Sequence, residues 1–173
     1  RTGGFLFFAN SGMLYSMETK HADYKGYTIA YKSDIDYPIL IEEIFEQEIY
    51  KFESASESPL ILDCGSNIGI SVLYFKDRYP AATVIAFEPD PDNYALLVEN
   101  IAANNLKDVM AHNVALSDYE GTIELYFSAD KSSTLGNTTI PAWGDRHGFS
   151  SIAVPSQKLS NYIGDGHVAY LKL

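Results

Sequence analysis

The chain has 173 residues, 46% hydrophobic and 20% charged, which suits one well-buried domain, is too short for two comfortable ones, and excludes a disordered polymer. A net charge of -11 with only 12 Lys and Arg excludes a duplex-binding surface, which needs clustered cations to neutralise phosphates. No apolar run is long enough to span a bilayer, and residues 5–9 lack the flanks of a signal peptide.

In chain order, residues 4–9, 13–19 and 27–33 alternate in short pieces separated by Asn10-Ser11-Gly12 and Lys25-Gly26, which predicts a β-meander over an amino-terminal extension, residues 1–37. Pro38 opens a helical stretch to about Phe52, with Ile41, Ile44, Phe45, Ile49 and Phe52 on one face. Leu60-Ile61-Leu62 is a buried strand, followed by a glycine-bearing turn and a helix whose stripe is Ile68, Val72, Phe75 and Tyr79 before Pro80. Thr83 to Phe87 is a second strand. Asp90 then caps a helix with Pro91 at its first position and Tyr94, Leu97 and Ile101 on its buried face.

Residues 109–115 form a third strand, so strand and helix alternate with short connections, which demands parallel pairing. The order then breaks. Residues 122–127 alternate as an antiparallel strand, and residues 128–151 form a polar loop of no clear period that holds Trp143, Arg146 and His147, which could fold over a substrate. A short helical turn over 159–163 and a strand over 167–173 close the chain. The fold class is therefore α/β, Rossmann-like and mostly parallel, with residues 38–173 as the nucleotide-binding unit.

Two strands that each stop at an acidic residue, with a helix between them, lay out a nucleotide-cofactor site at the carboxyl edge of the sheet. The turn Asp63-Cys64-Gly65-Ser66-Asn67-Ile68-Gly69 lets a ligand approach the backbone, and Glu88 stands where ribose hydroxyls need an acceptor. A dinucleotide site wants glycine where Asn67 stands, and a carboxylate at Asp63 repels a pyrophosphate but suits an ammonium or sulfonium group. These electrostatics favour S-adenosylmethionine over NAD. Cys64, the single cysteine, excludes an intrachain disulfide, fits a reducing, cytoplasmic setting, and reads as a small residue packed behind the turn.

With these residues in place, the chain resembles the FkbM family of S-adenosylmethionine-dependent methyltransferases over roughly residues 40–173. The resemblance rests on the sequence from Ile61 to Gly69, on Ala86-Phe87-Glu88-Pro89-Asp90-Pro91, on Asn113-Val114-Ala115-Leu116-Ser117-Asp118 with Gly121, and on Leu171-Lys172-Leu173. It implies a class I methyltransferase fold and methylation of hydroxyl groups on sugars or secondary metabolites. It also implies that Asp63, Gly65, Ser66, Asn67 and Gly69 line the methionine part of the cofactor. Glu88 would hold the ribose, Pro89 and Asp90 would flank the adenine, and Asn113, Ala115 and Leu116 would close its other side. The family continues past the Leu-Lys strand into an acidic segment and further strands, so the expectation is a chain cut before its last strands.

Other readings stay open. Lys172 is a candidate base or electrostatic aid at a strand end, or a solvated lysine at a free edge. Asn113 is equally a strand-end cap, and Tyr50 is placed to approach the cofactor. No His/Asp/Glu spacing suggests a metal site. An NAD(P)-dependent oxidoreductase on a similar sheet and a cofactor-binding module without catalysis are the competing functions. The expected partner is a small-molecule or glycan acceptor.

Overall fold

A computed structural model describes residues 18–128, 135, 137–140, 149–164 and 167–173. The expected strand over 4–9, most of that over 13–19, and Trp143, Arg146 and His147 lie outside the described residues. Strands β1 (Lys20–Tyr24) and β2 (Tyr27–Tyr31) form an antiparallel hairpin closed by Lys25 at φ 49 and Gly26 at φ 85. Positive φ at both loop positions is the two-residue turn whose twist matches the strands. Among the described residues the first strand starts at Lys20. The hairpin is not set apart: Ile29 and Ala30 are buried in the main core.

Helix α1 (Asp36–Ile41) runs into a π-helical turn, Glu42–Glu46. The helix expected to reach Phe52 stops here because Glu48 takes a left-handed φ of 50, and Ile49 is left exposed. Strand β3 (Leu60–Cys64), α2 (Ile70–Arg78), β4 (Thr83–Phe87), α3 (Pro91–Ala103) and β5 (Val109–His112) follow, then β6 (Ala115–Ser117), β7 (Gly121–Ser128), β8 (Phe149–Lys158) and β9 (Val168–Lys172). The third strand of the alternating set ends at His112, because Asn113 and Val114 leave the sheet and β6 pairs elsewhere.

The central sheet has the order β5-β4-β3-β9, and each of its pairs is parallel. The fold is α/β and Rossmann-like, as expected, with β6-β8-β7 as a second, mixed sheet. Alternation along the central strands divides the core. Ile61, Val84 and Ala86 face α2, α3 and the hairpin, together with Val72, Phe75 and Leu97. Leu62, Ile85 and Phe87 face the other way, onto Val114, Leu116 of β6 and Leu159 and Tyr162 of the turn before β9, while β7 packs with β8 in a separate cluster.

The helical side is tied together by Asn100, 1% exposed. Its Oδ1 accepts from Ala30 N at 2.6 Å, and its Nδ2 donates to Ala30 O at 3.0 Å and Ile68 O at 2.8 Å. One buried carboxamide therefore joins hairpin, α3 and turn with both polar ends satisfied.

Candidate functional site

The turn between β3 and α2 is shaped by left-handed residues, Gly65 at φ 75, Asn67 at φ 50 and Gly69 at φ 89. Gly65 N and Ser66 N both donate to Phe87 O at 2.9 Å, which folds the turn across the end of β4. Ser66 Oγ donates to Asp63 O at 2.8 Å, and Asn67 Oδ1 accepts from Ile68 N at 2.8 Å. Asparagine tolerates the left-handed conformation because its short side chain bonds locally.

Glu88 follows β4 and staples two loops. Its Oε2 accepts from Asn67 N at 2.7 Å and its Oε1 from Asp90 N at 2.9 Å. The carboxyl is pushed up to about 7, first by burial and then by the charge of Asp90, while the two backbone donors pull it down. Each carboxylate oxygen keeps a further lone pair for a ligand.

Asp63 and Lys172 form the second centre. Register pairs Asp63 with Lys172 and Ile61 with Tyr170, so alternation puts both ionic side chains on the helical face. Lys172 Nζ lies 2.9 Å from Asp63 Oδ1, 2.7 Å from Gly65 O and 3.2 Å from Cys64 O, and Asp63 Oδ2 accepts from Ser71 Oγ at 2.6 Å. Desolvation lowers the Lys172 pKa, but the charge and hydrogen bond of Asp63 outweigh it, so the ammonium is held above the ordinary lysine value. Lys172 is thus buried, not solvated at an edge. A base must give up its proton and hold an open lone pair; this group, with its donors facing three acceptors, fits a positioning and electrostatic role instead.

Above these centres lies a cavity of about 490 Å³ lined by Gly65, Ser66, Asn67, Glu88, Pro89 and Lys172, the predicted site residues that come together. The others sit behind it. Asp63, 0% exposed, lies beneath the turn and does not line the cavity. Gly69 is a packing glycine, since a Cβ built on it would meet Leu97 Cδ1 at 2.7 Å. Asp90 caps α3, accepting from Asp92 N at 2.8 Å, and its Oδ2 accepts from Asn137 Nδ2 at 2.8 Å. Asn113 Nδ2 donates to Glu88 O at 2.8 Å and Pro89 O at 3.1 Å, the contacts of a strand-end cap. Ala115 and Leu116 are spent on packing, the first against Leu125 and Val154, the second against the Phe87 face.

The sequence reading missed Ser71, Asn93 and Asn137, which also line the cavity. A signal for Asn93 was present: it shares a helix face with Leu97 and Asn100, where a polar residue needs a reason. Tyr50 lines the cavity as expected, with Lys172 Nζ 5.3 Å from its ring centre. The Cys64 thiol is pushed up to about 11, by burial first and by Asp63 second, and so is held protonated and inert. Among the described residues no cluster of three or more His, Cys, Asp or Glu could hold a metal ion.

Residues 63–173 match the family model described as "Methyltransferase FkbM domain". Methyltransferase sdnD of Sordaria araneosa is 38% identical over 110 residues, 62% of this chain and 41% of that protein. The 31-O-demethyl-FK506 methyltransferase FkbM of Streptomyces tacrolimicus is 29% identical over 113 residues, 64% of this chain and 43% of that protein. The chain thus spans about two fifths of the length of these relatives. Among solved structures, P. horikoshii TYW2 in complex with MeSAdo aligns at TM-score 0.46 and 29% identity, over 61% of this chain and 39% of that one. Methyltransferase FkbM from Methylobacillus flagellatus KT aligns at TM-score 0.47 and 16% identity, over 75% and 28%. The strand order above, not these partial overlays, defines the fold.

Proposed function

This chain belongs to the FkbM methyltransferase family, and we propose that it binds S-adenosylmethionine over the 65–69 turn and serves transfer of its methyl group to a hydroxyl oxygen of a small molecule or sugar. The observation that carries the reading is the single cavity shared by the turn backbone, Glu88 and Tyr50. Its volume suits a nucleoside cofactor and part of an acceptor.

The residues present fit the cofactor. A Cβ built on Gly65 meets nothing within 4 Å, so the glycine leaves open space at the cavity wall. Glu88 retains lone pairs for ribose hydroxyls, and Pro89 offers an apolar surface beside them. When bound, S-adenosylmethionine supplies an electrophilic methyl group on a sulfonium. The chain's own contribution is alignment and exclusion of water: Lys172 fixes the carbonyls of Cys64 and Gly65, while Ile39, Leu40 and Tyr50 wall the cavity.

An oxygen acceptor is supported by the relative named for 31-O-demethyl-FK506, and the net charge of -11 disfavours a nucleic-acid acceptor. No described helix is long and apolar enough to cross a membrane, and the lone protonated Cys64 fits a cytoplasmic setting. Residues 38–173 form the cofactor-binding unit in this reading, with 1–37 as an extension whose described hairpin, β1 and β2, is tied to α3 through Ala30 and Asn100.

Titration calorimetry tests the cofactor: S-adenosylmethionine or its demethylated product should saturate the chain, and NAD should not. Mass spectrometry of hydroxylated and aminated acceptors incubated with the protein should show one added methyl on the former. Preferential NAD binding, or methylation of amines alone, would overturn the reading.

A further inference from the structure

Asn93 sits in the first turn of α3, 4% exposed, and lines the cavity. Its carboxamide has no hydrogen-bond partner among the described residues, in contrast to Asn100 on the same helix. Its polar atoms are not sealed from solvent but open into the cavity, so water meets them until a polar ligand takes that place.

Position narrows the ligand group. Asn93, Leu97 and Asn100 follow the i, i+4, i+7 spacing of one helix face. Leu97 abuts Gly69, and Asn100 Nδ2 donates to Ile68 O, so that face looks onto the turn. Asn93 therefore stands at the corner where the turn meets the end of β4, the corner that Glu88 staples from Asn67 N to Asp90 N. Glu88 as a carboxylate can only accept. A ribose hydroxyl that donates to it still has an oxygen in need of a donor, and the Asn93 Nδ2 group can supply one.

We infer that Asn93 is a specificity-determining residue that donates to the ribose diol of the bound nucleoside cofactor, opposite the accepting Glu88. This rests on the proposal that the cavity takes S-adenosylmethionine.

The test uses S-adenosylhomocysteine and its 2′-deoxy and 3′-deoxy analogues, titrated calorimetrically into the unmodified chain and Asn93→Leu. The leucine is close in volume and needs no partner. Asn93→Leu should bind S-adenosylhomocysteine about three- to tenfold more weakly, the loss of one neutral hydrogen bond. One deoxy analogue should bind both proteins alike. The ligand-free melting temperature should be unchanged or higher, because the carboxamide bonds no described protein group there. Equal affinity of both proteins for S-adenosylhomocysteine, equal weakening for all three ligands, or a ligand-free melting temperature lower by several degrees would each overturn the inference. No binding by the unmodified chain would overturn the cofactor reading and this inference with it, so the two failures are distinguishable.

Discussion

Replacing Lys172 by methionine should damage the fold before it damages any chemistry. The substitution keeps most of the apolar stem and removes an ammonium that contacts Asp63 Oδ1 at 2.9 Å, Gly65 O at 2.7 Å and Cys64 O at 3.2 Å. It leaves Asp63 at 0% exposure with Ser71 Oγ at 2.6 Å on its other oxygen. Removing one partner of a buried pair costs about 3–5 kcal/mol, a large share of the roughly 5–15 kcal/mol that holds a domain together. At about 2–4 °C per kcal/mol for a chain of this size, the melting temperature should fall by roughly 6–20 °C. The double variant Asp63→Asn/Lys172→Met removes both charges and should recover most of the loss, since the uncompensated carboxylate is the larger part of the cost. The pH dependence has a definite sign. With its folded pKa above the ordinary 10.5, Lys172 contributes fully below 10.5 and loses its contribution as pH rises through the folded value. Thermal and urea melts of the three proteins at neutral pH check the argument. A single variant within about 2 °C of the unmodified chain, or a double variant no better than the single, would refute it.

Glu88→Ala should weaken S-adenosylmethionine binding by about ten- to a hundredfold, the loss of a charge-assisted acceptor, as read by calorimetry. Because the folded carboxyl titrates at about 7 against an ordinary 4.5, the unfolded chain has released this proton between those values while the folded chain has not. Stability of the ligand-free protein should therefore fall as pH rises from 4.5 to about 7, ligand affinity should rise over the same window, and both slopes should flatten in Glu88→Ala. Gly69→Ala should destabilise strongly, adding to the roughly 1–2 kcal/mol of left-handed strain a clash with the Leu97 tip. Gly65→Ala meets open space, so it should cost the strain alone but impair ligand binding, and melts paired with titrations separate the two.

What the sequence made legible was local. Asp90-Pro91 opens α3 because an N-cap and a preset φ are chemical properties of adjacent residues, and Asp90 does accept from Asp92 N. Lys25-Gly26 marks a hairpin for the same reason. Strand β8 went unread because Phe149–Lys158 carries serines and Pro155 where a central strand usually carries branched apolar residues, and its inward set reduces to Ile152, Val154 and Ser156. The early end of the first helix was hidden because the left-handed residue is Glu48, not a glycine, held there while its carboxylate engages Lys51 and Arg78.

The site shows the same boundary more sharply. Asp63 was assigned to the ligand on the ground that a bare carboxylate beside the turn would attract a cation. Register with β9 cancels that charge against Lys172, and no feature near Asp63 in the chain announces the pairing. The preference for a cationic ligand survives on other residues. Of the ionic side chains that line the cavity, Lys172 is balanced by the Asp63 beneath it, which leaves the carboxylates of Glu43 and Glu88 facing the space. Glu88 is fully charged only above its raised value of about 7, so the potential inside the cavity becomes more negative as pH climbs past that point. A sulfonium and an ammonium bring the countercharge that such a cavity lacks, and a pyrophosphate would add to the excess. The sequence shows a carboxylate at the turn but not which carboxylate faces the cavity, because net charge at a sheet edge is set by which strands lie side by side.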